Sequence, residues 1–311
     1  MDAVRYAAAE ASLWASVGAT PAERLLTLDH LGVRVRVQEL GSGPAVLFIH
    51  GANTSGSSWV TLAARLDGYR RIVLDRPGTG LSEPLPRPLN PHTMPAFADT
   101  LVTDVLDALG LPSAHLVATS LGGYIALRTA AAHPDRVDRM VQFSWPVGAP
   151  AARSPAVMRF MSIPGIARLV TALPPSERSV RLVFRSLGHA PSLQDGRITQ
   201  ADLDTYLSLL RDTDTQANEM ALGRSVVSPL RLIDRLQLTD DDLAAVRAPT
   251  CFVWGGRDPF GGAEAADELA RRLPDARIVM LPEAGHAPWL DDLDRCTQVT
   301  DGFLSGSEGP S

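Results

Sequence analysis

Six short runs of apolar residues recur along the chain, and each has the length of a β-strand. The runs are AVLFI (45–49), RRIVLD (70–75), HLVAT (115–119), RMVQF (139–143), TCFVW (250–254) and RIVML (277–281). Apolar and polar residues do not alternate strictly within them, which is typical of parallel strands buried on both faces of a sheet. The pattern therefore predicts a parallel sheet that is covered by helices on each side.

Helical patterns lie between these runs, at about 58–66, 93–109, 121–132, 263–272 and 289–304. Before them, residues 25–40 predict a β-hairpin that turns at His30–Gly32, and the Ala-rich residues 1–24 predict a helix. Two antiparallel strands followed by alternating strands and helices favour an α/β fold. We therefore predict a mostly parallel, eight-stranded sheet with helices on both faces.

The alternation of strands and helices breaks between residues 147 and 238. This stretch has no strong strand signal, contains repeated prolines and carries amphipathic helical patterns at 178–187 and 201–211. A structureless loop of this length is unusual in a compact domain. We therefore predict a helical cap at 147–238, inserted into one core domain that is formed by 1–146 and 239–311.

Composition and charge narrow the classes of function. Hydrophobic residues make up 45% and charged residues 21% of the 311 residues, as in ordinary globular proteins. The net charge is −6 and no basic stripe is present, so nucleic acid is not expected as a partner. All 29 basic residues are arginine, which excludes mechanisms that need a reactive lysine.

The sequence contains no motif typical of a cofactor site, a metal site or a membrane-spanning segment. Cys251 and Cys296 are too few for a disulfide framework, and no His/Cys cluster has the spacing of a metal site. No G-x-G-x-x-G follows the first apolar run, and no run approaches about 20 apolar residues. We expect a cytoplasmic protein without cofactor, metal or membrane partner that acts on a small molecule; its oligomeric state is left open.

A serine at the end of an apolar run is the first candidate for chemistry. The segment H-L-V-A-T-S-L-G-G (115–123) places Ser120 between a predicted strand and a predicted helix. Taken alone, such a serine is equally consistent with a helix cap. The segment nevertheless resembles the nucleophile elbow of the α/β-hydrolase fold superfamily, where a tight turn presents a serine hydroxyl above the sheet. Ala118 stands where that family usually has glycine.

Two further loops resemble the same family. H-G-A-N (50–53) follows an apolar run and resembles the oxyanion loop, which implies that the backbone amides of Ala52 and Leu121 stabilise an oxyanion. His50 is expected to be structural, and Asn53 either contacts the substrate or holds the loop. L-D-R-P-G-T-G-L-S (74–82) resembles the family's glycine-rich turn after a strand and is expected to be architectural.

The base and the acid are expected after the last two predicted strands. His286 lies in L-P-E-A-G-H-A-P-W (281–289), which resembles the family's late G-H loop, and Asp258 lies in W-G-G-R-D-P-F (254–260), which resembles the loop with the acid. The resemblance implies a triad of Ser120, His286 and Asp258, in which the carboxylate orients the imidazole. Asp291 and Asp292 follow His286 and are expected to cap the next helix or to be solvated.

Substrate recognition is expected from the cap and from Trp145, a candidate wall of the pocket. Most apolar side chains of the cap are expected to pack among themselves and some to face an apolar substrate of small to medium size. The candidates are Met158, Met161, Ile163, Leu169, Phe184, Leu187, Tyr206 and Leu209.

These motifs predict a serine hydrolase that cleaves a carboxylic ester or lactone through an acyl-enzyme on Ser120. One alternative keeps the fold with another reaction: a C–C hydrolase, a cofactor-free haloperoxidase or perhydrolase, or a biosynthetic lyase or cyclase. The oxyanion loop lacks the G-x-G-P start that is usual in meta-cleavage C–C hydrolases, which disfavours that reaction. A ligand-binding receptor on the same scaffold is a third, more remote alternative.

Overall fold

One eight-stranded sheet organises the residues that the structure, a computed structural model, describes: 2–149, 174–226 and 236–307. The strands are β1 (Ala22–Leu28), β2 (Val33–Leu40), β3 (Ala45–Ile49), β4 (Arg70–Leu74), β5 (Ala114–Thr119), β6 (Val137–Phe143), β7 (Thr250–Gly255) and β8 (Ala276–Leu281). Their order across the sheet is β1-β2-β4-β3-β5-β6-β7-β8. The β1–β2 and β2–β4 pairs are antiparallel and all other pairs are parallel, so the predicted fold class is confirmed.

Helices occupy the connections between the strands. They are α1 (Ala3–Ser16), α2 (Val60–Arg65), α3 (Met94–Leu109), α4 (Ser120–Ala132), α5 (Glu177–Ser186), α6 (Ala190–Gln194), α7 (Gln200–Asp212), α8 (Thr215–Val226), α9 (Asp240–Ala244), α10 (Ala263–Ala270) and α11 (Leu293–Leu304). Short 3₁₀ turns lie at Gly56–Trp59, Pro134–Arg136 and Pro288–Leu290. No helix in the described ranges is long and apolar enough to cross a membrane.

Two predicted helices have different limits in the structure. The N-terminal helix ends at Ser16 instead of residue 24, because Gly18 adopts a φ of 71° and the chain then pairs as β1 from Ala22. The predicted helix at 289–304 is divided into a 3₁₀ turn and α11. Asp292 caps α11 by accepting a hydrogen bond from the Arg295 amide, which fixes the new helix start.

The buried side chains of the sheet form two apolar layers, one on each face. In β3, Leu47 and Ile49 belong to the layer that α3 and α4 cover, whereas Val46 and Phe48 belong to the layer that α1, α2 and α11 cover. Successive strand residues point to opposite faces, so a strand that is apolar throughout feeds both layers. The prediction of helices on both faces is therefore confirmed.

The segment between β6 and β7 connects two strands that are neighbours in the sheet and run parallel. Its predicted helices at 178–187 and 201–211 correspond to α5 and α7. Phe184 and Tyr206 pack around a small cluster that contains Val180, whereas Leu187 packs against a core layer of the sheet.

Other predictions for this segment lie outside the described residues. They concern Met158, Met161, Ile163 and Leu169. The buried Leu209 is described and lies in α7. The division into a core domain and a cap stays a prediction, and residues 147–238 are called the inserted segment below.

Candidate active site

Ser120 lies at a sharp turn between β5 and α4. Thr119 is extended, with φ −145° and ψ 147°, and Ser120 has a φ of 52° before the chain becomes helical. A positive φ is costly for a residue with a side chain, so the surrounding structure must hold it. Ser120 is partly exposed, and its position matches the strand-turn-helix context of a nucleophile elbow.

Two glycines after Ser120 allow the close approach of strand and helix. A Cβ on Gly122 would lie 2.1 Å from the Ile49 carbonyl oxygen, and a Cβ on Gly123 would lie 2.0 Å from the Gln142 side chain. Neither position tolerates a side chain without movement of its neighbours. Ala118, by contrast, is fully buried in β5 within a core layer, so its methyl group is accommodated.

Asp258 and His286 lie side by side at the ends of β7 and β8. His286 Nδ1 and Asp258 Oδ2 are 2.9 Å apart, and the Asp258 side chain is fully buried. The backbone amides of Trp145 and Phe260 also donate to this carboxylate, at 3.1 and 2.9 Å. A carboxylate held by two amides stabilises a proton on Nδ1, which leaves Nε2 as the free nitrogen of the neutral imidazole.

The structure brings Asp258 and His286 together, but no hydrogen bond joins His286 Nε2 to the Ser120 hydroxyl within the described ranges. In free enzymes this contact is often long and tightens only when the substrate binds.

Aromatic rings cover one side of the His286 imidazole. The Phe260 ring is 4.5 Å from the imidazole centroid, and the buried Trp145 ring stacks on Phe260 at 5.2 Å with an interplanar angle of 9°. Trp145 thus contacts the candidate site in two ways. Its ring stacks on Phe260, and its backbone amide donates to Asp258. Its function as a pocket wall stays a prediction.

Two backbone amides beside Ser120 have no hydrogen-bond partner among the residues described. The Leu121 amide lies in the first turn of α4, where no intrahelical acceptor exists and the helix dipole favours negative charge. The Ala52 amide lies in the loop after β3. That loop is adjacent to the serine, since a Cβ on Gly51 would lie 3.1 Å from Ser120 Cβ. The arrangement is suited to an anion, and the role of these amides as an oxyanion hole stays a prediction.

His50 holds the loop after β3 and is fully buried. Its Nδ1 lies 2.8 Å from the Gly51 carbonyl oxygen, and its Nε2 accepts a hydrogen bond from the Arg76 amide at 3.1 Å. Burial lowers the pKa of His50 well below its usual value, and the charge of Arg76 lowers it further. This neutral imidazole, with a hydrogen-bond partner at each ring nitrogen, fits the structural role expected from the sequence.

Glu219 contacts the same loop and was not found by sequence reasoning. This buried side chain of α8 accepts from the Asn53 amide at 2.9 Å and from the Arg76 guanidinium at 3.0 Å. Asn53 has a φ of 56°, and its side chain is exposed. Glu219 thus ties the inserted segment to the candidate oxyanion loop. Both partners lie more than 140 residues from Glu219 in the sequence, so no local pattern signals these contacts.

The two carboxylates after His286 behave differently. Asp292 caps α11, as expected. The expectation was wrong for Asp291, which is buried and accepts hydrogen bonds from the Gly285 amide, from His189 and from the Ser192 hydroxyl. Sequence reasoning missed this cluster because His189 lies in the inserted segment, about a hundred residues away.

Cysteine and metal chemistry have no support in the described ranges. Cys251 and Cys296 are buried free thiols, and burial raises the pKa of each. Among the residues described, no group of three or more His, Cys, Asp or Glu side chains is placed to hold a metal ion.

Comparison with known proteins identifies the family. The sequence model described as alpha/beta hydrolase fold matches residues 44–293. A 2-hydroxy-6-oxononadienedioate/2-hydroxy-6-oxononatrienedioate hydrolase from Cupriavidus pinatubonensis is 26% identical over 268 residues, which cover 82% of this chain and 86% of the relative.

Two solved structures share the fold. A carboxylesterase from Bacillus subtilis superposes with a TM-score of 0.75 at 18% identity and covers 98% of both chains. A 2-hydroxy-6-oxo-6-phenylhexa-2,4-dienoate hydrolase from Rhodococcus sp. strain RHA1 gives a TM-score of 0.72 at 18% identity, over 92% of this chain and 99% of the other. With a family match over most of its length and the predicted sheet in place, this chain belongs to the α/β-hydrolase fold family.

Proposed function

We propose that this protein is a serine hydrolase that cleaves a carboxylic ester or lactone of a small to medium apolar substrate. The observation that carries the proposal is the arrangement at one sheet edge: a serine at a strained elbow after β5, and a buried carboxylate–histidine pair at the ends of the parallel strands β7 and β8. A serine is a weak nucleophile unless a base takes its proton, and an oriented imidazole is such a base.

The reaction follows from the roles of these groups. His286 Nε2 accepts the proton of Ser120 Oγ while Oγ attacks the carbonyl carbon, and Asp258 stabilises the imidazolium. The oxyanion is bound by the amides of Ala52 and Leu121, which need no reorganisation because neither has another partner in the described ranges. The imidazolium then protonates the leaving alkoxide. A water molecule, deprotonated by His286, cleaves the acyl-enzyme and restores Ser120.

The acyl-enzyme is tested by a fluorophosphonate probe together with turnover of a short p-nitrophenyl ester. Wild-type protein is expected to be labelled and active, and Ser120→Ala is expected to lose both properties. Ser305→Ala is the matched control, because this exposed hydroxyl lies at the end of α11 and donates to the Asp301 carbonyl oxygen. A folded wild-type protein that is never labelled and never turns over the ester would contradict the proposal.

Hydrolysis of a C–C bond is a second candidate, favoured by the similarity to the 2-hydroxy-6-oxononadienedioate/2-hydroxy-6-oxononatrienedioate hydrolase of Cupriavidus pinatubonensis. The two reactions are separated by comparing kcat/KM for p-nitrophenyl butyrate with kcat/KM for 2-hydroxy-6-oxo-6-phenylhexa-2,4-dienoate. A clear preference for the ester supports the leading proposal. A preference for the dienoate replaces it with the second candidate.

A further inference from the structure

The loop that carries His286 is held at three consecutive backbone amides. Each amide donates one hydrogen bond: Gly285 to Asp291 Oδ2 (2.8 Å), His286 to the Leu187 carbonyl oxygen (2.9 Å) and Ala287 to His189 Nε2 (3.2 Å). Leu187 and His189 belong to the turn between α5 and α6 in the inserted segment. The inserted segment therefore supplies the acceptors for the amides of His286 and Ala287, and Asp291, six residues further along the chain, supplies the acceptor for Gly285.

His189 and Asp291 form a second buried His–Asp pair. The His189 side chain is fully buried, and its Nδ1 lies 2.7 Å from Asp291 Oδ2. Because the Ala287 amide can only donate, Nε2 must accept, and the proton of a neutral imidazole then lies on Nδ1. Burial alone would raise the pKa of Asp291, but hydrogen bonds from His189, Ser192 and Gly285 outweigh it and lower the pKa.

The pair is not placed to be a second catalytic base. Both His189 nitrogens have partners, and the ring has no exposed surface, so it has no free site for a substrate proton. Its contact with the loop is close: a Cβ on Gly285 would lie 2.4 Å from the Leu187 carbonyl oxygen and 2.8 Å from His189 Cε1. Only glycine permits this approach.

We propose that His189 and Asp291 are positioning residues for His286. The pair fixes residues 285–287, so that the His286 imidazole keeps its bond to Asp258 while its Nε2 stays directed at the reacting atoms. This inference rests on the proposed function of His286 as the base. A displacement of about 1 Å at a catalytic group can lower the rate roughly 100-fold, so a contact outside the site is sufficient to control it.

Two polar substitutions separate the two contacts of His189. In His189→Gln the side-chain carbonyl reaches the position of Nε2 and accepts from the Ala287 amide, whereas in His189→Asn the shorter side chain reaches Asp291 only. We expect His189→Asn to lower kcat for the ester roughly 100-fold with KM nearly unchanged, and His189→Gln to recover most of that loss. His92→Asn is the control, because it makes the same substitution at an exposed histidine outside the inserted segment.

Amide hydrogen exchange at residues 285–287 gives a readout that does not depend on the reaction. His189→Asn should raise exchange at residues 285–287 and leave exchange in β5 and β7 unchanged. His189→Gln should keep exchange at residues 285–287 close to that of wild type. Equal kcat and equal exchange in the two variants would overturn the proposal, as would a uniform rise in exchange across the sheet. If wild-type protein does not hydrolyse the ester, the proposed function fails, but the exchange comparison still decides whether the pair holds the loop.

Discussion

Backbone strain at single residues is concentrated at one edge of the sheet. Among the described residues other than glycine, a positive φ occurs at Asn53, Ser120 and Ser144. These residues follow the ends of β3, β5 and β6. Each such conformation costs on the order of 1–3 kcal/mol and persists only where the surroundings impose it. The strain therefore lies in three turns at the candidate site. Asn53 is bound by Glu219, Ser120 is the candidate nucleophile, and Ser144 precedes Trp145.

Asp258 is the residue whose charge should matter most to His286. Asp258→Asn keeps the shape, but its amide group favours the wrong tautomer of the imidazole, so kcat for the ester should fall by about 10⁴-fold, as the corresponding substitution does in serine proteases. The measurement is steady-state turnover of a p-nitrophenyl ester. Asp292→Asn is the control, because Asp292 only caps α11, and it should stay close to wild type. A loss below tenfold in Asp258→Asn would exclude Asp258 as the orienting acid.

His50 should make the free energy of unfolding depend on pH. Its pKa in the folded protein is well below the value of about 6.5 expected in the unfolded chain, so below pH 6.5 the unfolded state binds a proton that the folded state rejects. Stability should therefore decrease on acidification, by up to about 1.4 kcal/mol per pH unit from this group.

Urea unfolding between pH 7.5 and 5.5 tests the contribution of His50. In His50→Gln the slope of the unfolding free energy against pH should be smaller than in wild type, whatever the absolute stability of the variant. The exposed His92 supplies the control, and His92→Gln should keep the wild-type slope. An unchanged slope in His50→Gln would show that the imidazole is not held neutral.

At the scale of elements, the inserted segment contacts both loops of the candidate site. Glu219 of α8 binds the loop after β3, and His189, before α6, binds the loop after β8. Both contacts end on backbone amides next to candidate catalytic groups. The position of these helices is therefore coupled to the geometry of the candidate oxyanion site and of the candidate base.

Glu219→Ala should weaken both the fold and the reaction. It leaves the buried Arg76 guanidinium without its carboxylate, which costs about 3–5 kcal/mol, and it frees the Asn53 amide beside the oxyanion loop. We expect a lower midpoint of urea unfolding and a lower kcat. Asn218→Ala, one position away, loses only a neutral hydrogen bond to the Gly78 carbonyl oxygen and should cost about 1 kcal/mol. Equal stability of the two variants would contradict this view of Glu219.

Elements defined by local pattern could be predicted from the sequence, whereas long-range polar contacts could not. The apolar runs at 45–49 and 250–254 became β3 and β7, because burial on both faces requires a continuous apolar strand. The start of β1 was predicted at residue 25, but the strand begins at Ala22. Apolar and polar residues do not alternate in Ala22–Arg24, so only the pairing with β2 defines this part of the strand. Asp291, an acidic residue near a helix start, has the local pattern of a cap. Its true partner, His189, becomes visible only in three dimensions.

At the scale of the whole molecule, α1 joins the sheet to the inserted segment. On one side its Glu10 contacts Arg36 of β2, at 2.6 Å. On the other side the Ala9 carbonyl oxygen accepts a hydrogen bond from Thr205 of α7, at 3.1 Å, and the Asp2 amide donates to the Asp212 carbonyl oxygen at the end of α7. The first helix therefore supports α7, which lies in the chain between His189 and Glu219, the two residues that contact the candidate catalytic loops.

Removal of the buried charge in α1 tests this connection. Glu10 and Asp75 flank the buried Arg36 guanidinium, so Glu10→Ala leaves part of that charge uncompensated and should lower the unfolding free energy by about 3–5 kcal/mol. Glu23 contacts the same guanidinium at 3.2 Å, but its side chain is 53% exposed. Since solvent screens such a pair, Glu23→Ala should cost less than about 1 kcal/mol. Urea unfolding of both variants is the measurement, and similar losses would show that α1 is not held by its buried charge.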